Sequence, residues 1–290
     1  MLVTAIIERR SIGRMSGDSD LHRSTAGSGI RFVVKVGMQS MSTRINVEKW
    51  KEKYGAHYAD GYDARRFTTT EGRIAQNFEL ELFARILHQH GAKHVLDAPI
   101  GTGRVAIPLA DQFTFTGVDI SPDMMASGKE IAAANGVTSI TWTECSVDKL
   151  PFPDGTFDAS VTARLFQHVP KDMGHEIICE LSRVVKPGGV VILQFRSGLY
   201  GFVLKFLRYY VTKQTGNIRH KCIFPDQVGA LFAGHEIVAQ YGYKFPVSGR
   251  LASIFGDAFV MALERVLAST PGIRWFGKYK TFVIRRRPAA

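Results

Sequence analysis

Residues Leu96–Arg104, "LDAPIGTGR", decide how this chain is read. An apolar run closes on Asp97, a proline and two glycines follow, and a new apolar pattern opens after Arg104. Glycines at 101 and 103 let the backbone turn with positive φ and let a ligand approach it closely. In open α/β sheets such a turn, at the carboxyl end of the first strand, is where nucleotide-like ligands bind. The loop by itself leaves two ligand types open. Gly101-x-Gly103-x-x-Ala106 formally matches the dinucleotide fingerprint, with Asp119 at about the right distance for the ribose-binding acid. A pyrophosphate, however, wants free N–H groups at a helix start. Asp97 would repel it, and Pro99 removes one donor. S-adenosylmethionine carries a sulfonium and an ammonium and no phosphate, so an acid beside the loop favours it, and Asp119 can accept both ribose hydroxyls.

Working outward, "GRIAQNFELELFARILHQHGA" has helical apolar spacing and Gly91 as its C-cap. A strand follows from His94 to Ala98, then a helix over "RVAIPLADQF" and a strand "FTGVDI". Ser121 and Pro122 are N-cap and first residue of a helix that Gly136 closes. "SITWTE", "DASVTA" and "GVVILQF" read as further strands, the last two separated by a helix from Lys171 to Lys186 that Pro187-Gly188-Gly189 terminates. Alternation of this kind predicts a parallel sheet covered on both faces.

Composition sets the outer limits. The chain has 290 residues, 45% of them hydrophobic, which suits a soluble globular protein. Cys145, Cys179 and Cys222 are scattered and odd in number, without CxxC or His-x-Cys spacing, so the expectation is reduced thiols, no metal and a cytoplasmic setting. The net charge of +11 is concentrated at one end: residues 200–290 hold 14 Lys/Arg against 4 Asp/Glu. That asymmetry suggests an anionic partner or a solvated basic face. No run reaches the roughly 18 apolar residues of a membrane span. The glycine- and serine-rich stretch "SGDSDLHRSTAGSG" has no period, so residues 1–43 are expected to be a disordered extension and 44–290 a single domain.

Four blocks, "VLDAPIGTGR", "FTGVDISPDMM", "LPFPDGTFDASV" and "ELSRVVKPGGVVILQF", come in an order and spacing that resemble the class I S-adenosylmethionine-dependent methyltransferases. The nearest likeness is to the small-molecule branch with the ubiquinone and menaquinone C-methyltransferases, and it is strongest from His94 to Phe195. The resemblance implies an α/β fold: a Rossmann-like mixed seven-stranded sheet, strand order 3-2-1-4-5-7-6, with helices on both faces and helical cap insertions. Caps are expected at about 47–70, 197–222 and 247–276. "FPDQVGALFAGHEIVAQYGYKFP" resembles the final helix and sixth strand, and "YKTFVIRRR" the seventh.

The resemblance also implies the cofactor, S-adenosyl-L-methionine, and its site. Asp97 would hold the methionine ammonium, with Ala98, Gly101 and Gly103 along the methionine moiety. Asp119 would bind the ribose, and Ile120 and Met124 would pack on the adenine. Two positions depart from the family pattern. Pro99 stands where the loop usually has its first glycine, which reads as a rigid turn. Ser146 stands where many relatives carry an adenine-binding acid, leaving Ser146, the Val147 backbone or Asp148 for that contact.

Methyl transfer is an in-line displacement that depends chiefly on alignment, with a base needed only for a protonated nucleophile. In "ARLFQHV", Arg164 can touch the cofactor, and His168 can serve as base or orient the acceptor, or simply pack at the turn. Upstream, Tyr62 can cover the sulfonium by cation–π contact, and Arg66, next to Arg65, can meet an acidic acceptor. "SGLYGFVLKFLRYYVTK", which contains Tyr200 as a candidate acceptor contact, reads as a lid, an interfacial helix or a plain core helix. The expected acceptor is a small hydrophobic or lipid-like molecule, with peripheral contact to an anionic membrane. An RNA methyltransferase using the basic C-terminal third and a non-catalytic cofactor-binding subunit are the alternatives. Nucleic acid is disfavoured because "TARL" replaces the Asn/Asp-Pro-Pro-aromatic block of the nucleic-acid amino-methyltransferases, and no nucleophilic cysteine stands in this region.

Overall fold

The structure is a computed structural model that describes residues 69–169, 173–201, 222–246 and 248–286. The expected disorder of 1–43, most of the caps at 47–70 and 197–222, and both Tyr62 and Arg66 lie outside the described residues. Helix α1 (Thr70–Gln89) opens on Thr69, whose hydroxyl accepts from the Gly72 N–H at 3.1 Å, and ends as expected at Gly91 with φ +64°. Its buried stripe includes Phe78, Leu82, Phe83, Ile86 and Leu87, which pack over the sheet.

β1 (His94–Asp97) lies mid-sheet between β2 (Thr114–Asp119) and β4 (Phe157–Thr162). β3 (Thr141–Glu144) pairs outside β2, and β5 (Val185–Arg196) outside β4, all parallel. β7 (Tyr279–Arg286) then runs antiparallel between β5 and β6 (His235–Tyr243). The order is β3-β2-β1-β4-β5-β7-β6, as the resemblance implied. Successive strand residues point to opposite faces. Val95 and Ile192 therefore join the α1 face while Leu96 and Val191 join the other, so both faces are apolar and covered. The second face is closed by α3 (Gly174–Arg183) through Ile177, Ile178 and Leu181.

Helix α2 (Pro122–Ala134) begins on Ser121, whose hydroxyl accepts from the Met124 N–H at 3.2 Å, and Gly136 follows it with φ +70°. Two helices differ from expectation. "RVAIPLADQF" forms turns around a short 3-10 helix, Ile107–Leu109, instead of an α-helix. Pro108 has no N–H to return to Arg104, which interrupts the α ladder. The helix expected to reach Lys186 stops at Arg183, because Val184 accepts from the Phe157 N–H at 2.9 Å and Val185 pairs with Phe157. Pro187-Gly188-Gly189 thus lies within β5 rather than after a helix.

Past β5, a short 3-10 turn (Pro225–Gln227) and α4 (Val228–Leu231) lead to β6. The 247–276 region is helical: α5 (Ser248–Phe255) and α6 (Asp257–Ser269) precede a 3-10 turn, Ile273–Trp275. α6 packs on β6, α1 and α5. Among the described residues no helix is long and apolar enough to cross a membrane.

Candidate active site

Four strand ends and the loops after them line one open cleft. Asp97, Pro99 to Thr102 and Arg104 come from the end of β1 and its loop; Asp119, Ile120 and Met124 from the end of β2 and the start of α2. Ser146 and Val147 follow β3, while Arg164, Leu165, His168 and Val169 follow β4. The sequence separates these groups by tens of residues, and the parallel sheet brings their carboxyl ends to one edge.

The loop spends its N–H groups internally. Ile100 donates to the Val118 carbonyl at 2.8 Å, Gly101 to Asp119 Oδ2 at 2.9 Å and Gly103 to the Ile100 carbonyl at 2.9 Å. That is a poor cradle for a pyrophosphate, which needs such donors free. Gly101 turns at φ +56°, and a Cβ there would meet Met124 Cε at 3.5 Å, on the cleft side. Gly103 turns at φ +79°, and a Cβ would strike Ile107 Cδ1 at 2.6 Å, so its smallness serves packing of the turn. Ala98 is fully buried, and neither Ala98 nor Gly103 lines the cleft.

The two acids differ in their partners. Asp119 accepts from Gly101 through one oxygen and from the Ser121 N–H, at 2.9 Å, through the other. Burial raises its carboxyl to about 6, with these N–H groups limiting the rise. Asp97 is buried and its Oδ2 has no hydrogen-bond partner among the described residues. Burial pushes its carboxyl up to about 8, against the pull of the Arg104 charge. An unpartnered carboxylate oxygen on a cleft wall fits a cationic ammonium, which would supply the missing partner. Across the cleft, Ser146 donates its hydroxyl proton to Asp148, joining two of the candidate adenine contacts.

Behind the wall lies a network the sequence reading missed. Glu79 on α1 is fully buried and accepts from Arg104, Gln194 and Tyr243, with Arg164 Nη2 at 3.3 Å. Burial would raise its carboxyl, but the Arg104 and Arg164 charges outweigh that and hold it at about 2. Gln194 also accepts from the Arg164 N–H at 3.2 Å, where Arg164 sits at φ +64°. The Arg164 guanidinium lies 3.8 Å from the Tyr279 ring centre. Glu79 therefore fixes two of the cleft's arginines. Its spacing was the available signal: it falls four residues after Ala75 and four before Phe83, on the buried stripe.

His168 lines the cleft, with Gln167 Nε2 2.9 Å from its Nε2. Tyr200 lies four residues past the end of β5, in a helical turn, half-buried and not among the residues lining the cleft, its N–H 3.5 Å from Ser197 Oγ.

Comparison with known proteins shows the family to which the chain belongs. A family described as "Methyltransferase domain" matches residues 95–189. A ubiquinone/menaquinone biosynthesis C-methyltransferase of Desulfotalea psychrophila is 30% identical over 201 residues, covering 64% of this chain and 73% of the relative. A demethylmenaquinone methyltransferase of Deinococcus radiodurans is 34% identical over 201 residues, covering 65% and 76%. The chain belongs to the class I S-adenosylmethionine-dependent methyltransferases of the ubiquinone/menaquinone type. It is a methyltransferase, and S-adenosylmethionine is its cofactor. The non-catalytic alternative and the dinucleotide reading both fall. The fold of this methyltransferase is also that of magnesium protoporphyrin IX methyltransferase from Synechocystis, solved with bound S-adenosylhomocysteine, at TM-score 0.58 and 14% identity, covering 83% of this chain and 99% of that one.

Proposed function

We propose that this methyltransferase places a methyl group on a ring carbon of a small hydrophobic quinol. The relatives' names motivate the class of acceptor, and one feature of the structure carries it. An open, largely apolar pocket of about 430 Å³, whose lining also includes His175, Asp226 and Gln227, adjoins the cleft, the two sharing Val169. Phe166 and Phe195, stacked at 4.2 Å, form part of its wall, with Ile223 and Leu231. Such a wall takes an apolar acceptor and excludes a nucleic-acid backbone.

The cofactor supplies an electrophilic methyl on sulfur, whose departure leaves a neutral thioether. The cofactor-binding set is assigned to Asp97 for the ammonium, Gly101 for close backbone approach, Asp119 for the ribose, and Ile120, Met124, Ser146 and Val147 for the adenine. Arg164, tied to Glu79, shapes the wall between them. A hydroquinone ring is most nucleophilic once a hydroxyl is ionised, so His168 is assigned as the base that takes the hydroxyl proton. The ring carbon then takes the methyl, its own proton leaves to solvent, and the oxygen regains a proton from His168, so one proton is released for each methyl transferred.

The test is methyl-labelled S-adenosylmethionine with a chemically reduced, short-chain demethylmenaquinone. One labelled methyl on the ring carbon is the expected product; label on oxygen, or none transferred, contradicts the reading. The same proposal includes peripheral contact with an anionic membrane through the basic C-terminal third. Flotation with anionic vesicles at low salt should carry the protein upward and lose it at high salt; protein that stays down at low salt removes this part.

A further inference from the structure

On the α1 side of the β5 end, three cations gather beside the cleft. Arg196 ends β5, and Tyr279 is its cross-strand partner on β7. Lys278 precedes Tyr279; its N–H donates to the Lys244 carbonyl at 3.1 Å and its carbonyl accepts from Ser197 at 3.0 Å. Lys244 follows β6 at φ +61°, a strained conformation for a lysine, and buried Glu264 fixes it by accepting from the Lys244 and Phe245 N–H groups at 3.0 and 3.1 Å. The rim is also tightly made: a Cβ on Gly277 would lie 2.5 Å from the Tyr243 nitrogen.

The charges are under-compensated. Lys244 Nζ lies 3.5 Å from Glu71, the one ion pair any of the three makes among the described residues. Arg196 and Lys278 make no side-chain hydrogen bond or ion pair among the described residues, although Lys278 is half-buried. Burial, with Lys244 and Arg196 nearby, holds the Lys278 ammonium below its ordinary value despite the opposing Tyr279 and Glu71. Lys278 lies 5.7 Å from the Tyr279 ring centre, the same ring that carries Arg164 of the cleft. Three cations that share the single carboxylate of Glu71 among the described residues, on a stiff rim next to a catalytic cleft, call for an anionic ligand.

We propose that Arg196, Lys244 and Lys278 form a subsite for an oxyanion of the acceptor, a carboxylate or an ionised ring hydroxyl. The proposal rests on the methyl-transfer reading of the cleft but not on the quinol. It deepens that reading by giving the acceptor an anionic oxygen held on the rim.

The experiment titrates the full-length enzyme, saturated with S-adenosylhomocysteine, with 2-naphthoate, 2-naphthol and the neutral 2-naphthamide at pH 7 and low salt. Naphthoate should bind at least tenfold more tightly than naphthamide. Lys278→Met should weaken naphthoate fivefold or more and leave naphthamide and the cofactor product unmoved, and Lys278→Arg should restore the preference. Naphthol matching naphthoate, with the same lysine dependence, assigns the ionised hydroxyl; naphthol matching naphthamide assigns the carboxylate. Equal or absent binding of naphthoate and naphthamide, or a preference that survives Lys278→Met, overturns the subsite. If demethylmenaquinol is not methylated while naphthoate preference depends on Lys278, the quinol assignment fails and the subsite stands. Methylation without that preference is the converse.

Discussion

Asp97 and Glu79 are both buried acids within one wall, and their surroundings set them in opposite directions. Glu79 has two guanidinium groups and stays ionised; Asp97 has an unpartnered oxygen and a carboxyl at about 8. Burial therefore favours the protonated form of Asp97 in the cofactor-free enzyme, and binding an ammonium draws it to the ionised form. Cofactor binding at pH 7 should release a proton, measurable by calorimetry in buffers of different ionisation enthalpy, and Asp97→Asn should abolish the release. The same substitution should raise the melting temperature of the free enzyme by several degrees at pH 8 while weakening the cofactor at least tenfold. Glu79 acts with the opposite sign. Its contribution is complete above the ordinary carboxyl value of 4.5 and is lost as pH falls toward about 2. Glu79→Gln should cost about 3 kcal/mol in denaturant unfolding at pH 7, and the variant should lack that part of the acid limb.

At the scale of elements, what was legible followed from local chemistry. Ser121-Pro122 and Gly91 mark helix ends through capping and positive φ, and the apolar runs of β1, β2 and β4 need no partner to be recognised. Pro108 and Val184–Val185 were misread because the outcome depended on contacts elsewhere: a lost ladder bond in one case, pairing with Phe157 in the other. Glu79 and Glu81 look alike in "FELELF", yet Glu81 is exposed and pairs with Arg265 at 2.7 Å, 184 residues away, while Glu79 faces the wall. Lys280 on β7 shows the same limit. Its alternation with Tyr279 and Thr281 cannot reveal that it is buried 4.4 Å from the Trp275 ring centre, its amine without a hydrogen bond among the described residues. Burial lowers it to about 7, with Arg274 adding to the effect. Because the unfolded chain keeps this lysine charged up to its ordinary 10.5, the wild type should gain stability as pH rises from 7 toward 10. Lys280→Met should be more stable than wild type at pH 7, by thermal unfolding, and the gap should close toward pH 10.

For the whole molecule, the sheet order sets where chemistry happens. Parallel strands bring Asp97, Asp119, Ser146 and Arg164 to a common edge, and the antiparallel β7 returns Lys278 and Tyr279 to that edge from the far end of the chain. Asp97 and Asp119 were legible because they stand in the blocks that carry the family resemblance, and Ser146 and Arg164 because they follow the strands next to those blocks. The Lys278 rim was not, since its meaning depends on Lys244 and Arg196 meeting it across strands. A cofactor that binds only the folded cleft must also stabilise it: saturation at 100 times the dissociation constant is worth about 2.7 kcal/mol. The most direct measurement is therefore titration of S-adenosylhomocysteine into the wild type, Asp119→Ala and Asp97→Asn, with NAD as the control. Micromolar binding to the wild type, weakened at least tenfold in each variant and absent for NAD, is the predicted result. Binding that is undiminished in both variants would mean that the cofactor lies elsewhere and that this cleft has been misassigned.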